Sequence, residues 1–230
     1  MTFPLHPLRA RRPHRRIGGS HLAVLVAAHD DPSGVLSVLD AMALQTVVPR
    51  RVTVLTRPDA EEAIDAAVAH GARVITTADT AAAVDEALAQ GEGDAPTFVL
   101  ILTAETRMPA EFIATALREF ARDDDLGVVS GKASVITGSA TMFRTAALHD
   151  VAAARGLILP GHPGKVCHSA PATDGAELAL AVQLCGWGSS APSAAAMLPG
   201  RVTHRAGGDR APARLRAAVL ESLTPVPAGA

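Results

Sequence analysis

With 230 residues, of which 48% are hydrophobic, the chain is long enough to bury a core as one domain. Its formal net charge of −2 excludes the overall basic character of proteins that coat nucleic acid, so any anion site must be local. No apolar run reaches the roughly 18 residues of a membrane span, and the two cysteines cannot build a disulfide framework. We therefore expect a soluble, cytoplasmic protein with no membrane span and no specific nucleic-acid partner.

Residues 1–20 have the composition of an extended arm, because the prolines and arginines that dominate them disfavour a helix. Three interpretations of this arm stay open: a disordered tail, a strip that binds anions, and a strap that contacts a neighbouring subunit. The prolines are Pro4, Pro7 and Pro13, and the arginines are Arg9, Arg11, Arg12, Arg15 and Arg16.

The apolar run at 22–28 is typical of a strand that is buried on both faces of a parallel sheet. A twin-arginine signal is disfavoured, because the run after Arg16 is short and continues directly into charged residues. Ser33 is predicted to cap the next helix, which has apolar residues at helical spacing and ends before Pro49.

Strands and helices then alternate, which predicts an α/β fold with a doubly wound, mostly parallel sheet and helices on both faces. Gly71 is expected to end the second helix. Residues 131–143 are rich in small residues, and 156–172 have the composition of a loop. The predicted strands are 51–55, 73–76 and 98–102, and the predicted helices are 59–70, 80–90, 109–122, 174–185 and 211–223.

Doubly wound sheets bind ligands beyond the carboxyl ends of their strands. Three segments directly follow a predicted strand: 29–31, 56–59 and 103–107. Their polar side chains are therefore the first candidates for a ligand site.

Several motifs are similar to those of the glycosyltransferase family 2, whose members have the Rossmann-like GT-A fold and transfer a sugar from a nucleotide diphosphate. The resemblance extends over about residues 22–223 and implies an arm at 1–20, a GT-A domain at 21–224 and a tail at 225–230. The motifs are Val24-Leu-Val-Ala-Ala-His-Asp-Asp31 with Gln45-Thr46, Ala83-Val-Asp-Glu-Ala-Leu88, Leu126-Gly-Val-Val-Ser-Gly131, Thr137-Gly-Ser-Ala-Thr-Met-Phe-Arg144, and Thr173-Asp-Gly-Ala-Glu-Leu-Ala-Leu180 with Gly186-Trp187.

The resemblance implies a nucleotide site built from His29, Asp31, Thr56 and Thr103. The family has a uracil-binding aspartate after its second strand, whereas this chain has Thr56, or Asp59 in a shifted frame. Two alternatives stay open: His29 bonds the backbone of its own turn, and Asp30 and Asp31 begin the next helix.

The family holds a divalent cation with an aspartate, any residue, and a second aspartate after the fourth strand. Here the corresponding residues are Thr103, Ala104 and Glu105, so the resemblance implies Glu105 as the one remaining carboxylate for Mg²⁺ or Mn²⁺. A solvated loop carboxylate is an equally consistent interpretation of Glu105.

The family's general base is an aspartate that corresponds to Gly175 in this chain. The nearest carboxylates are Asp174 and Glu177, and one helical step turns a side chain by about 100°. Of the family's clamp for acceptor and diphosphate, only Arg216 remains.

These replacements favour a pseudo-glycosyltransferase with a structural or assembly role. Such a scaffold needs no cofactor and would bind protein partners or a second copy through the arm, in the cytoplasm or in a phage particle. The alternative is an active, inverting enzyme with Mg²⁺ or Mn²⁺ on Glu105 and Asp174 or Glu177 as the base. A third hypothesis is a module that binds a nucleotide sugar without turnover.

Three other features favour structural roles. Trp187 is predicted to pack after a helix rather than stack on a sugar, and Cys185 is predicted to be a small core residue. His162, Cys167 and His168 lack a fourth ligand at a recognised metal-site spacing.

Overall fold

The computed structural model describes residues 21–29, 31–89, 96–104, 106–131, 140–158, 165–167 and 175–192. The arm at 1–20, the helix predicted at 211–223 and the tail at 225–230 lie outside the described residues. So do Glu105, Asp174 and Arg216, and also His162 and His168.

The described elements alternate along most of the chain. The strands are β1 (Leu22–His29), β2 (Arg51–Thr56), β3 (Arg73–Thr76), β4 (Phe98–Thr103), β5 (Leu126–Ser130), β6 (Ala140–Arg144) and β7 (Gly188–Ser190). The helices are α1 (Pro32–Ala43), α2 (Glu61–Ala69), α3 (Thr80–Ala89), α4 (Phe112–Arg122), α5 (Thr145–Ile158) and α6 (Ala176–Leu184). Among the described helices, none combines the length and apolar character that a bilayer crossing requires.

The strands form one sheet in the order β3-β2-β1-β4-β6-β5-β7. Strand β1 is parallel to both β2 and β4, and β2 is parallel to β3, while β6 is antiparallel to β4 and β5. The prediction of a mostly parallel sheet is therefore confirmed. Because the chain leaves β1 towards β2 and later returns to the other side of β1 as β4, the strand order reverses between β1 and β4. Ligand sites of such sheets lie at this point.

The core has two layers, one on each face of the sheet. Along β4, Phe98, Leu100 and Leu102 lie in the layer with α1, α2 and α4, whereas Val99 and Ile101 lie in the layer with α3, α5 and α6. This alternation follows from the two-residue period of a strand. It confirms helices on both faces and explains why the central strands are uninterrupted apolar runs.

The predicted starts of α1, α2 and α4 need correction, and α6 begins at Ala176 rather than at residue 174. Asp31, and not Ser33, is the N-cap of α1, since its side chain accepts a hydrogen bond from the Gly34 amide. Helix α2 begins at Glu61 rather than at residue 59, because Arg57 and Asp59 form an ion pair within the preceding turn.

Helix α4 begins at Phe112 rather than at Pro109, and Gln45 explains the later start. The Gln45 amide donates to the Pro109 carbonyl at 2.9 Å and accepts from the Ile113 amide at 3.3 Å. These bonds fix the turn before α4 in a non-helical path. The Gln45-Thr46 pair of the family-like motif therefore joins the end of α1 to the start of α4.

Residues 140–158 show what the sequence pattern misses. No strand was assigned from the sequence within the small-residue segment 131–143, yet β6 pairs with both β4 and β5. Arg144 at its end holds the sheet to α4: its guanidinium donates to the carbonyls of Leu126 and Phe120 and lies 5.4 Å from the centroid of the Phe120 ring. Long-range contacts of this kind leave no periodic signal in the sequence.

Candidate functional site

The carboxyl ends of β1 and β4 lie side by side. Ala27 pairs with Thr103 in the sheet, and the Ala104 amide donates to the Ala27 carbonyl at 3.1 Å. The first turn of α1 closes over this edge, because a Cβ atom at Gly34 would lie only 2.9 Å from the Cβ of Ala104. A glycine is therefore needed for α1 to approach β4 this closely.

Asp31 lies at this edge as the cap of α1. Its Oδ1 accepts from the Gly34 amide at 3.0 Å and from the Ser33 hydroxyl at 2.8 Å. These two bonds, the Gly34 bond foremost, hold the pKa of Asp31 below its usual value. The alternative that Asp31 begins the next helix is thus confirmed, while its contact with a nucleotide stays a prediction. His29 ends β1 beside it.

Thr103 ends β4, and its polar atoms are bonded to Thr106. The Thr103 amide donates to the Thr106 hydroxyl at 3.2 Å, and the two hydroxyl oxygens are also 3.2 Å apart. Thr106 is fully buried, and its carbonyl accepts from the exposed Arg107. The charge of Arg107, which sequence reasoning did not single out, also helps to lower the pKa of Asp31.

Thr56 is buried at the end of β2, with 2% of its surface exposed, and its carbonyl accepts from the Thr77 amide at 2.8 Å. The carboxylate of Asp59, the alternative in the shifted frame, forms a bidentate pair with the Arg57 guanidinium at 3.0 Å for each bond. This pair lowers the pKa of Asp59. Arg57 and Asp59, together with Pro58 and Ala78, line an open depression of about 420 Å³ after the carboxyl end of β2.

Gly175, which the sequence resemblance aligns with the family's base, has no room for a side chain. Its φ of 75° is in the left-handed region, where a Cβ atom is unfavourable. A Cβ atom there would also lie 2.9 Å from both the Cβ and the Oγ1 of Thr141 on β6. Backbone conformation and packing thus both require glycine at this position.

Glu177, on the first turn of α6, forms an ion pair with Arg155 of α5. Arg155 is fully buried, and its guanidinium also donates to the carbonyl of Val166. The carboxylate of Asp85 on α3 also binds this segment. It accepts hydrogen bonds from the amides of Val166 at 2.7 Å and Cys167 at 3.3 Å. Burial raises the pKa of Asp85. Glu177 is therefore part of a network that joins three helices.

Sequence reasoning missed both Arg155 and Asp85. A lone arginine in the alanine-rich sequence of α5 was the available signal for the first, because charged residues are rarely buried without a partner. The available signal for Asp85 was its place in the family-like motif at 83–88, next to the apolar residue Val84.

The remaining predictions concern the end of α6. The packing role predicted for Trp187 is confirmed: it packs against the core layer of α3, α5 and α6, and its indole donates to Asp150 at 2.9 Å. Cys185 is half-buried against the same layer. Burial raises the pKa of the Cys167 thiol to about 12. No group of three or more potential metal ligands occurs among the described residues.

Comparisons with known proteins extend the assignment of the fold. No family model matches the sequence, and no curated protein matches it. Among solved structures, a mannosyltransferase from Pyrobaculum calidifontis in complex with GDP-Man and Mn²⁺ is similar, with a TM-score of 0.55 and 18% identity over 76% of this chain and 55% of that chain. The chain has the GT-A glycosyltransferase fold.

A second similar GT-A structure is glucosyl-3-phosphoglycerate synthase from Mycobacterium tuberculosis in complex with Mn²⁺, UDP-Glc and phosphoglyceric acid. It has a TM-score of 0.53 and 13% identity, over 88% of this chain and 78% of that chain. Because identities this low establish the GT-A fold alone, the chemistry of this chain must be argued from its own residues.

Proposed function

We propose that this GT-A protein is a pseudo-glycosyltransferase, a scaffold that no longer transfers sugar and has a structural or assembly role. The observation that carries the proposal is Gly175, which stands at the position of the family's base. An inverting transferase needs a base to take the proton of the acceptor hydroxyl, and loss of such a group lowers a rate by about 10²- to 10⁴-fold. The φ of Gly175 and its contact with Thr141 disfavour any side chain there.

Glu177 is poorly suited to replace the missing base. Its carboxylate is bonded to the buried guanidinium of Arg155. Proton transfer to Glu177 would leave the charge of Arg155 buried without its counter-ion, which is strongly unfavourable. The ion pair therefore favours a structural role for Glu177, and Asp174 remains the other candidate base.

The residues at the carboxyl ends of β2 and β4, where the resemblance places the nucleotide sugar, support the same proposal. Divalent cations in nucleotide-sugar sites require charged oxygen ligands, whereas Thr56 and Thr103 carry neutral hydroxyls. Thr56 and Thr103 therefore do not fit a metal site of the usual kind, and within the segment 103–105 Glu105 is the single carboxylate. Arg107, whose charge helps to lower the pKa of Asp31, is a cation suited to a phosphate.

An active, inverting enzyme is the second candidate. It is favoured by the ligands of the similar GT-A structures. Both similar structures hold Mn²⁺ with a nucleotide sugar, GDP-Man in one and UDP-Glc in the other. In this chain Glu105 would hold Mg²⁺ or Mn²⁺, Arg216 would contact the diphosphate, and Asp174 or Glu177 would act as the base.

Calorimetric titration with UDP and GDP, with and without Mn²⁺, separates the two candidates, together with an assay for sugar release from UDP-Glc and GDP-Man. The pseudoenzyme is expected to show no turnover and no effect of Mn²⁺ on nucleotide affinity. Metal-dependent binding that is lost in Glu105→Ala, but kept in the exposed control Glu62→Ala, would overturn the proposal.

The assembly role is tested by the size of the protein in solution. An oligomer, or a stable complex with a host or virion protein, is expected, and a monomer that is indifferent to deletion of residues 1–20 would count against this part of the proposal. Copurification with phage particles would test the proposed virion setting.

A further inference from the structure

The large apolar side chains that are exposed among the described residues share one layer of the molecule. Leu36 lies on α1, Leu44 and Val48 lie in the segment after it, and Val68 lies on α2. Their exposed fractions are 41%, 74%, 72% and 61%. Single exposed apolar residues are ordinary, but their restriction to one layer marks a surface that another chain segment can cover. We call the outer surface of α1, α2 and the segment 44–48 the α1–α2 face.

The α1–α2 face is also acidic. Helix α1 contains Asp40, and helix α2 contains Glu61, Glu62 and Asp65, while neither helix contains a lysine or arginine. Asp40 lies one turn from both Leu36 and Leu44 and contacts His70 at 3.4 Å. Within the described part of the chain, Glu61, Glu62 and Asp65 form no salt bridge.

Residues 1–20 have the complementary chemistry. They contain five arginines and no acidic residue, so their formal charge is opposite to that of the α1–α2 face. The apolar residues Phe3, Leu5 and Leu8 precede the basic half of this arm. An arm of this kind can cover apolar side chains and pair with carboxylates at the same time.

The point where residues 1–20 join β1 determines whether this arm can reach the α1–α2 face of its own chain or that of a second copy. The Arg50 amide donates to the Leu22 carbonyl at 3.0 Å, so the start of β1, where the arm ends, lies beside the end of the 44–48 segment. In an extended, proline-containing conformation, 20 residues span about 60 Å. Helix α1, with its 12 residues, is about 18 Å long. The arm is therefore much longer than the face beside its own start and can cross to a second copy.

We propose that the α1–α2 face binds the N-terminal arm, residues 1–20, of a second copy of this chain. Because the arm's start and the face are adjacent, two copies can exchange arms about a two-fold axis and form a closed dimer. The inference rests on the assembly role of the proposed function and names the surface and the partner segment.

The test uses the full chain and sedimentation velocity over a range of concentrations. The wild type is expected to dimerise, and deletion of residues 1–20 should yield a monomer. The face variant Leu44→Ser/Asp65→Lys should weaken dimerisation by about tenfold or more, as expected when one apolar contact and one charge pair are lost. The matched control Asp124→Lys reverses an exposed acidic residue in the turn between α4 and β5 and should leave the dimer intact. High salt should weaken the wild-type dimer.

A mixing experiment identifies the contact as arm to face. The arm-deleted chain keeps its face, and the Leu44→Ser/Asp65→Lys chain keeps its arm, so the two together should form a mixed dimer. Two face variants mixed with each other should not. A dimer that survives both changes would overturn the arm–face contact while leaving an assembly role intact. A wild type that stays monomeric at all concentrations would overturn the contact and the assembly role together, and neither result bears on sugar transfer.

Discussion

Gly175 and Thr141 approach each other so closely that a Cβ atom at position 175 would lie 2.9 Å from the Thr141 Oγ1. The contact joins the start of α6 to β6, two elements that are distant in sequence. It leaves position 175, which the sequence resemblance aligns with the family's base, without space for a carboxylate. The same contact makes the proposed loss of sugar transfer testable through stability as well as activity.

Gly175→Ala is expected to be more destabilising than Gly71→Ala, which serves as a matched control. Both glycines have φ near 70°, but a Cβ atom at Gly71 would meet nothing within 4 Å. The control should cost about 1–2 kcal/mol for the left-handed conformation, and Gly175→Ala should cost about 1–3 kcal/mol more for the overlap with Thr141. Urea unfolding measures both free energies. Equal losses would show that the site relaxes freely.

Gly175→Asp restores the family's residue type without restoring its geometry. We expect a loss of stability at least as large as that of Gly175→Ala and no sugar release from UDP-Glc or GDP-Man, because the overlap with Thr141 displaces the new side chain. A gain of metal-dependent turnover in this variant would instead indicate an otherwise intact transferase site.

Arg155→Met should be strongly destabilising, by about 3–5 kcal/mol, because it leaves Glu177 without its guanidinium partner in a mostly buried site. Glu177→Gln, which keeps a neutral acceptor, should cost less. The double variant should be more stable than the sum of the two losses predicts, as for residues in direct contact. A double-mutant cycle in urea measures this coupling, and strict additivity would rule out the ion pair as a stabilising contact.

Thr106→Val tests the hydroxyl bonds at the end of β4. The variant removes the oxygen that accepts from the Thr103 amide in a buried position, a loss of about 1–3 kcal/mol. Thr106→Ser keeps that oxygen and should lose less. Hydrogen exchange of the Thr103 amide should accelerate in Thr106→Val only, and unchanged exchange would contradict the role of this bond.

Asp31 should contribute stability that depends on pH. Its folded pKa is held below 3.8 by the Gly34 amide and the Ser33 hydroxyl, so the folded state favours the anion. The contribution is therefore present above the unfolded pKa and is lost as the pH falls through the folded pKa. The stability difference between wild type and Asp31→Asn should be constant above about pH 5 and shrink as the pH falls below the usual carboxyl pKa. A difference that grows on acidification would reverse the assigned sign.

Periodicity predicted the elements that carry a strong local signal. The apolar runs of β1 and β4 and the helical spacing of α1 follow from burial on both faces or on one face, and the chain order of these elements determines a mostly parallel sheet. Strands β5, β6 and β7 and helix α5 were not predicted from the local pattern. Their positions depend on contacts such as those of Arg144 with Phe120 and Leu126.

The sequence likewise predicted some features of the candidate site and not others. The sequence placed Thr56 and Thr103 at the carboxyl ends of their strands, because that edge follows from the order of the elements. It did not reveal that Asp59 is paired with Arg57, or that Thr103 is bonded to Thr106. These bonds depend on turn geometry, which no residue spacing specifies.

By itself, the sequence determined an α/β fold, and it predicted a ligand edge beyond β1 and β4 and a glycine where the resemblance aligns the family's base. Those features depend on residue type and order. Only the tertiary structure decided that Gly175 lies against Thr141 and that Glu177 is bonded to Arg155. Such contacts join residues far apart in the chain, and their geometry is set by the packing of α5 and α6 against the sheet.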